Sequence, residues 1–392
     1  MKTILLISEL GGGLGHVAPL IAIGNKILNS DFGGSNARII LATTDSVGYR
    51  DIYRDLSFAL MNAPATEPAV ELEAHSASFT EVLATFGYSR PSILSAAVKS
   101  WDDFYTITNA DLIIADYSPT ACLAARGKIP VVQIGTGFTM PPTDISRFPA
   151  LRSGYAPPTI ERNILQTVNS VLESRGQSVL DALPKFLETE FRAIFTLPQL
   201  DPYGPIRNEP LLGSYHVGLK PLDEPEEPLV FLYAGRDPTQ LDQIVQSATL
   251  AGYRLAAYLG PMETASSILL KNRGAIVYQR PPPLSDVLSK ASIVVSHGGA
   301  GLTNAALTVG RPQILLPLFV ESDLTCNAVE KIGSGIVLKG KQSQKLGDAL
   351  SEIIDTKRYT ENAQAEAHKI AAFKLPGDPV GLVADAAIKL IS

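Results

Sequence analysis

Cysteine is scarce in this sequence, and its arrangement excludes two common uses of the residue. The chain of 392 residues has two cysteines, Cys122 and Cys326, which lie far apart and form no metal-binding spacing. Such a pair is typical of reduced thiols buried in a core. We therefore expect no disulfide framework and no metal site, and we expect a cytoplasmic protein.

Positive charge and long apolar runs are scarce as well. The net charge is −6 and no long basic run offsets it, which argues against a nucleic-acid partner. No stretch approaches the roughly twenty apolar residues that a membrane span needs, so no integral membrane segment is expected. Residues 3–7 could pass for a short signal peptide, but Ser8, Glu9 and a glycine run follow at once. We interpret residues 3–7 as a first strand.

What the sequence does have is an alternation of apolar runs and helical periodicity, and this alternation occurs twice. Short continuous apolar runs are typical of parallel strands that are buried on both faces. In the first half we expect strands at 3–7, 38–42, 112–115 and 131–134, helices from about 19 and from about 120, and helix with loop at 46–101. After an acidic, proline-rich stretch the alternation restarts, with strands at 229–233, 254–257, 275–278, 293–295 and 313–316.

This alternation of strands with helices predicts an α/β fold with two doubly wound parallel sheets. A length of 392 residues exceeds one comfortable core, which favours two domains. We expect an N-terminal domain at 1–215, a C-terminal domain at 216–375, and a last helix at 376–392 that could pack back on the N-terminal domain.

One histidine and one aspartate stand where a general base and its partner are expected. His16 follows the first strand within a glycine run, and Asp116 ends the strand at 112–115. The carboxyl ends of parallel strands share the edge at which such sheets bind ligands. A histidine, with an intrinsic pKa of about 6.5, suits a general base, and a carboxylate can orient its other ring nitrogen. The alternative is that His16 is a turn residue and Asp116 caps the next helix.

A second glycine turn with a histidine follows the strand at 293–295. The amides and the positive end of the helix expected from about Leu302 make an anion site, for which phosphate is the typical ligand. The residues of this predicted phosphate site are His297, Gly298, Gly299, Gly301 and Thr303. However, tight turns favour glycine whatever they bind, and a histidine at a strand end can simply bond to the backbone.

Four further polar residues lie near this predicted phosphate site. Asn304 could serve the same anion or fill the first helical turn, and Arg236 could neutralise a phosphate or lie on the surface. Glu321 and Asp323 follow the strand at 313–316, where a carboxylate could bind the hydroxyls of a sugar. Otherwise they are solvated loop acids. The sequence leaves each of these alternatives open.

The order of these residues resembles the nucleotide-sugar signature of the UDP-glycosyltransferase superfamily, above all its bacterial, macrolide-type branch. The stretches that carry the resemblance are Pro283-Leu284-Ser285-Asp286, His297-Gly298-Gly299-Ala300-Gly301, Gly310-Arg311-Pro312-Gln313, Pro317, Asp323 and Asn327-Ala328. Near the N-terminus, Gly15-His16-Val17-Ala18-Pro19 is similar to the family's GHxxP turn. The resemblance implies the GT-B fold, in which two Rossmann-like domains face an interdomain cleft.

An activity is implied as well. It is an inverting, metal-independent transfer of a sugar from a UDP- or dTDP-sugar to a hydroxyl of a small, largely apolar acceptor, in natural-product or antibiotic biosynthesis. The N-terminal domain would bind the acceptor and the C-terminal domain the nucleotide sugar, with no other cofactor. The resemblance gives the role of base to His16 and of its partner to Asp116, diphosphate binding to His297, Gly298, Gly299, Gly301 and Thr303, and sugar binding to Asp323 and Glu321.

Three residues depart from the family pattern. Leu324 and Leu284 stand where the family usually has glutamine, and Pro281 stands where many relatives stack an aromatic residue on the base. These departures leave the sugar and the nucleobase open, with Leu284 as a candidate base contact. Three rival functions remain: a glycosyltransferase with a lipid-linked or membrane acceptor, a nucleotide-sugar epimerase, and an inactive GT-B subunit that binds or activates a partner. The oligomeric state is also left open.

Overall fold

The chain folds into two compact units, each built on one parallel sheet. The computed structural model describes residues 1–11, 13–32, 37–64, 77–152, 159–233, 238–260 and 264–392. The first unit comprises Met1–Tyr215 and Asp378–Ser392, and the second comprises His216–Gly377. Among the described helices, none is both long and apolar enough to cross a membrane.

The first unit has a six-stranded sheet in the order β3-β2-β1-β4-β5-β6, and all pairs of neighbouring strands are parallel. Its strands are β1 Lys2–Ser8, β2 Ala37–Thr43, β3 Ala59–Asn62, β4 Leu112–Asp116, β5 Val131–Gly135 and β6 Phe191–Ile194. The helices of this part of the chain are α1 Leu14–Leu28, α2 Ser46–Ile52, α3 Phe79–Thr85, α4 Pro91–Thr108, α5 Pro119–Ala125 and α6 Glu161–Ser174. Short 3-10 helices follow at Leu183–Leu187, Pro198–Leu200 and Gly204–Ile206.

The second unit repeats this architecture with the strand order β12-β11-β10-β7-β8-β9, again parallel throughout. Its strands are β7 Leu229–Tyr233, β8 Arg254–Ala257, β9 Ile276–Val277, β10 Ile293–Ser296, β11 Gln313–Leu315 and β12 Gly335–Val337. Its helices are α7 Pro238–Leu250, α8 Ala265–Asn272, α9 Leu284–Leu288, α10 Ala300–Val309, α11 Val320–Ile332, α12 Leu346–Asp355 and α13 Arg358–Ala372, with a 3-10 helix at Gly340–Lys345. The last helix, α14 Pro379–Ile391, belongs to the first unit.

The apolar strands supply the core on both faces of each sheet. Since side chains alternate along a strand, Leu5 and Ile7 of β1 enter one core cluster, whereas Ile4 and Leu6 enter the cluster on the opposite face. All four are fully buried. Because β1 is buried on both faces, its sequence is a continuous apolar run. This burial on both faces confirms the predicted doubly wound sheets.

The C-terminal helix α14 packs on the first unit beside α1. Its residues Val383 and Ala384 share a core cluster with Val17 and Leu20 of α1. At the surface, Nζ of Lys26 on α1 lies 2.8 Å from Oδ2 of Asp378, which caps α14. The chain therefore leaves the first unit and returns to it. The predicted roles of the two units, acceptor binding and donor binding, stay predictions.

Two helix starts and three strands differ from the sequence-based expectation. The prediction that the first helix starts near Pro19 is wrong, because α1 begins at Leu14 and tolerates Pro19 in its interior. The helix α10 begins at Ala300, two residues before the expected start at about Leu302. The strands β3, β6 and β12 were not expected. They are three or four residues long and each forms an edge of its sheet, so they lack a continuous buried apolar run.

Candidate active site

His16 and Asp116 lie in contact at the carboxyl edge of the first sheet. Nδ1 of His16 is 2.7 Å from Oδ1 of Asp116, and the two side chains are 13% and 2% exposed. Asp116 ends β4 and pairs with Ser8, the last residue of the neighbouring strand β1. His16 lies in the first turn of α1 and not in the glycine turn before it. The sheet thus brings together two residues that are 100 positions apart in the chain.

The glycine run before α1 makes room for the imidazole. A Cβ built on Gly11 would overlap Cγ and Cδ2 of His16. Gly13, the residue before α1, has φ 93°, in the region that favours glycine. A side chain at Gly11 would therefore push the ring away from Asp116.

Burial makes Asp116 a strong partner for a protonated imidazole. The pKa of the Asp116 carboxyl lies above its usual value because the group is buried. The charge of His16 and its hydrogen bond offset part of this rise. A carboxylate in this position accepts the Nδ1–H bond of His16, so Nε2 is the nitrogen that can take up a proton. The pair therefore has the geometry of a general base with its orienting acid.

Tyr117, which sequence reasoning did not single out, stacks beside the histidine. The two ring centroids lie 5.6 Å apart with an interplanar angle of 29°. Tyr117 is half-buried and has φ 45°, in the left-handed region. The signal available in the sequence was its position directly after Asp116, which says nothing about backbone conformation.

Glu9 is a second residue that sequence reasoning missed. It is 2% exposed, and its Oε2 accepts bonds from the amides of Thr120 and Ala121 at 2.9 and 3.2 Å. Its own amide donates to Oγ of Ser118 at 2.9 Å. Glu9 thereby caps the start of α5 and fastens it to the end of β1. Burial raises the pKa of Glu9 from 4.5 to about 7.

This raised pKa predicts a pH-dependent stability that Glu9→Gln removes. With a pKa of 4.5 unfolded and about 7 folded, the folded state holds a proton that the unfolded state releases. The free energy of unfolding of the native chain therefore falls by about 3 kcal/mol as the pH rises through this window. Glutamine keeps the capping oxygen but cannot ionise, so the fall disappears in Glu9→Gln. Urea unfolding at several pH values measures the free energy of unfolding, with the exposed Glu226→Gln as control. If this free energy depended on pH in the same way in Glu9→Gln and in the native chain, the raised pKa of Glu9 would be contradicted.

In the second unit, the glycine turn joins β10 to α10. Gly298 has φ 76°, and a Cβ on it would overlap Sγ of Cys326. Its amide donates to Oγ of Ser296 at 3.1 Å, so this N–H already has a partner. The first amides of α10, from Ala300 onward, have no acceptor within the helix and carry its positive dipole end. The predicted phosphate site therefore rests on the start of α10 rather than on the Gly298 amide.

His297 stands beside this helix start. The pKa of His297 lies below its usual value because the ring is buried, and a hydrogen bond to the backbone of Tyr233 offsets part of this shift. The ring centroids of His297 and Tyr233 lie 6.0 Å apart. The structure thus contains the backbone bond that was the alternative interpretation of this residue. A Cβ on Gly299 would lie 2.8 Å from Nε2 of His297, so that nitrogen faces the glycine turn.

The other predicted phosphate contacts lie within α10. Gly301 is in its first turn. Thr303 is fully buried, and its Oγ1 has no hydrogen-bond partner among the described residues. Asn304 is 2% exposed and donates from Nδ2 to the carbonyl of Ala300 at 2.7 Å, so it fills the helical turn.

The predicted sugar and base contacts are placed as follows. Glu321 and Asp323 lie in the first turn of α11 and not in a loop, and Asp323 forms an ion pair of 2.6 Å with Lys339. Leu284 is the first residue of α9 and packs, partly buried, on a core cluster of its unit. Arg236 lies outside the described residues. The first three keep their predicted roles as hypotheses.

Comparison with known proteins identifies one family model and partial relatives. Residues 277–384 match the family model described as erythromycin biosynthesis protein CIII-like, C-terminal domain. Aclacinomycin-T 2-deoxy-L-fucose transferase of Streptomyces galilaeus is 24% identical over 220 residues, 53% of this chain and 48% of that protein. Sterol 3-beta-glucosyltransferase of Kluyveromyces lactis is 35% identical over 78 residues, 20% of this chain and 6% of that protein. The chain thus spans less than half the length of each of these two relatives.

The fold has a solved counterpart over nearly the whole chain. The Streptomyces sp. SF2575 glycosyltransferase SsfS6, complexed with thymidine diphosphate, superposes with a TM-score of 0.61 at 18% identity, covering 98% of this chain and 100% of that one. The predicted GT-B class is confirmed by this likeness together with the two parallel sheets. The predicted resemblance to macrolide-type glycosyltransferases is confirmed by the family match at residues 277–384.

Proposed function

We propose, from the GT-B fold and the erythromycin biosynthesis CIII-like segment at 277–384, that this chain is a glycosyltransferase. It takes a sugar from a nucleoside-diphosphate donor, UDP or dTDP, and transfers it to a hydroxyl of a small, largely apolar acceptor. The observation that carries the proposal is the 2.7 Å contact between His16 and Asp116. A glycine-rich anion site without such a dyad would fit a nucleotide-binding subunit equally well.

The first unit supplies the base. Nε2 of His16 takes the proton of the acceptor hydroxyl, and the carboxylate of Asp116 stabilises the imidazolium that forms. The hydroxyl oxygen then forms a bond to the anomeric carbon of the donor sugar. The bond from that carbon to the diphosphate breaks, and its electron pair leaves with the diphosphate. A direct displacement of this kind inverts the configuration at the anomeric carbon.

The second unit supplies the donor site. The amides that open α10 and Nε2 of His297 meet the diphosphate, and the helix dipole stabilises the charge that develops on it. These groups make the transfer independent of a metal ion. Asp323, in the first turn of α11, binds hydroxyls of the sugar, with its ion pair to Lys339 holding the carboxylate. The relative SsfS6 was solved with thymidine diphosphate, which supports dTDP among the candidate nucleotides.

Replacement of His297 tests the donor site. His297→Ala removes an imidazole hydrogen bond to the diphosphate and is expected to weaken the affinity for dTDP or UDP about tenfold. Calorimetric titration measures the change. His368→Ala, an exposed histidine on α13, serves as the control. Unchanged affinity in His297→Ala would mean that the anion binds elsewhere.

The function itself is tested by following both products. The purified chain is incubated with UDP- or dTDP-glucose and hydroxylated aromatic acceptors, in the presence of a chelator. We expect release of the nucleoside diphosphate together with a glycoside of inverted configuration, as read from its anomeric proton signal. A retained configuration or a requirement for metal would contradict the mechanism. Tight nucleotide binding without any transfer across acceptors would favour the binding subunit.

A further inference from the structure

Tyr117 has a backbone conformation that bulky residues rarely adopt. Among the described residues other than glycine, positive φ occurs at Asn109 and Tyr117. Asn109 ends helix α4, where asparagine commonly takes the left-handed conformation. Tyrosine has no such local reason, so the surrounding structure must hold it there.

Three hydrogen bonds hold this turn. The amide of Leu10 donates to the carbonyl of Tyr117 at 3.1 Å. The hydroxyl of Ser118 donates to the carbonyl of Asp116 at 2.7 Å and accepts from the amide of Glu9 at 2.9 Å. The segment after β1 thus bonds to Tyr117 and to Ser118, and Ser118 in turn bonds to Asp116. The conformation of Tyr117 is built into the fold.

The Tyr117 ring belongs to a row of neighbouring aromatic rings, which consists of Tyr117, Phe79, Phe138 and Phe148. The ring centroid of Tyr117 lies 5.6 Å from that of His16, in a stacked arrangement, and 6.2 Å from that of Phe79. Phe79 in turn lies 5.2 Å from Phe148 and 6.1 Å from Phe138. The three phenylalanines are at most 3% exposed, whereas Tyr117 is half-buried. The accessible ring of the row is therefore the one next to the proposed base.

Hydrogen bonds between the segments that carry Phe79 and Phe148 hold the buried part of the row in place. Glu161, at the start of α6, accepts from the amide of Phe148 at 3.1 Å and from Oγ1 of Thr80, next to Phe79, at 3.3 Å. The amide of Leu151 donates to the carbonyl of Ala77 at 2.7 Å. A rigid, flat and partly accessible ring is a suitable platform for stacking another ring.

We propose that Tyr117 is a specificity-determining residue, which stacks a planar aromatic acceptor of the phenol or naphthol class so that its hydroxyl reaches His16. The inference rests on the proposed function and names its acceptor class. Offset stacking favours flat rings over puckered ones of the same size. An aromatic hydroxyl, with a pKa near 10 for phenols, also gives up its proton to an imidazole more readily than an aliphatic alcohol does.

The rival explanation is that Tyr117 only positions His16. In that case its loss would slow transfer to every acceptor by the same factor. If Tyr117 stacks the acceptor, its loss changes the preference between a flat and a puckered acceptor. If Tyr117 only positions His16, this preference stays the same. The ratio of kcat/KM for a naphthol to that for the corresponding saturated decalin alcohol therefore separates the two explanations.

The experiment compares three variants with the native chain. Tyr117→Ala and Tyr117→Gly are both expected to lower the naphthol-to-decalin ratio about tenfold, mainly through a higher KM for naphthol. Tyr117→Phe keeps the ring and should keep the ratio within about twofold. Glycine tolerates the left-handed conformation, so a loss shared by Gly and Ala belongs to the ring and not to backbone strain. An unchanged ratio in Tyr117→Ala would overturn the proposal.

Direct binding separates failure of this inference from failure of the proposed function. Calorimetric titration with naphthol and with the decalin alcohol needs no turnover. We expect the native chain to prefer naphthol and Tyr117→Ala to lose that preference. If the chain transfers sugar but has no preference for the flat ring, the inference fails and the function stands. If it prefers naphthol but releases no nucleotide from any donor, the proposed function fails.

Discussion

His16→Ala is expected to lower the rate of sugar transfer by about 10²- to 10⁴-fold, the usual contribution of a positioned general base. Alanine leaves the acceptor hydroxyl without a group to take its proton, and the buried carboxylate of Asp116 loses its 2.7 Å partner. The proposed donor site lies in the other unit, so the affinity for nucleotide should stay within about twofold. Initial rates of nucleoside-diphosphate release with acceptor present measure the first effect, and calorimetry the second.

Two further variants make this result specific. Asp116→Asn keeps the shape of the side chain but removes its charge, so the imidazolium loses its stabilising partner and transfer should also fall steeply. Lys26→Ala breaks an exposed ion pair on the same helix as His16 and should leave the transfer rate unchanged. Full transfer activity in His16→Ala would show that another group is the base.

Gly298→Ala is expected to destabilise the chain by about 3 kcal/mol and to weaken nucleotide binding. Its φ of 76° strains any residue with a Cβ, and that atom would overlap Sγ of the buried Cys326. Because Gly298 joins β10 to α10, relief of the overlap must move the turn that carries His297. Urea unfolding and calorimetric titration with dTDP or UDP measure the two effects.

Gly340→Ala is the matched control for this prediction. Gly340 also has positive φ, 52°, but a Cβ on it would meet no atom within 4 Å. It should therefore show the backbone strain alone, about 1 kcal/mol, with normal nucleotide affinity. Equal losses of stability in the two variants would mean that the contact between Gly298 and Cys326 does not matter. Adding Cys326→Ala to Gly298→Ala should recover part of the loss.

The juxtaposition of His16 and Asp116 could be predicted because it follows from topology. Each residue comes after a continuous apolar run, and parallel strands bring their carboxyl ends to one edge. The start of α1 could not be predicted, because the proline that marks many helix starts lies inside this helix at Pro19. For that reason His16 was expected in a turn.

Residues whose importance depends on burial or backbone conformation carried no signal. Glu9 has a raised pKa because the folded chain buries it beside α5, and Tyr117, which has a positive φ, stacks with His16. In the second unit, the glycine pattern predicted the turn between β10 and α10 but not the hydrogen-bond and ion-pair partners of the residues in and near it. The bond from the Gly298 amide to Ser296 and the ion pair of Asp323 with Lys339 depend on tertiary packing.

Calorimetric titration of the native chain with UDP, dTDP and GDP, without added metal and with a chelator present, tests the central claim most directly. The claim is that the start of α10 and His297 form a nucleoside-diphosphate site. We predict saturable binding of UDP or dTDP at one site per chain, weakened about tenfold in His297→Ala. Absence of binding by all three nucleotides would contradict the donor site, and with it the glycosyltransferase function.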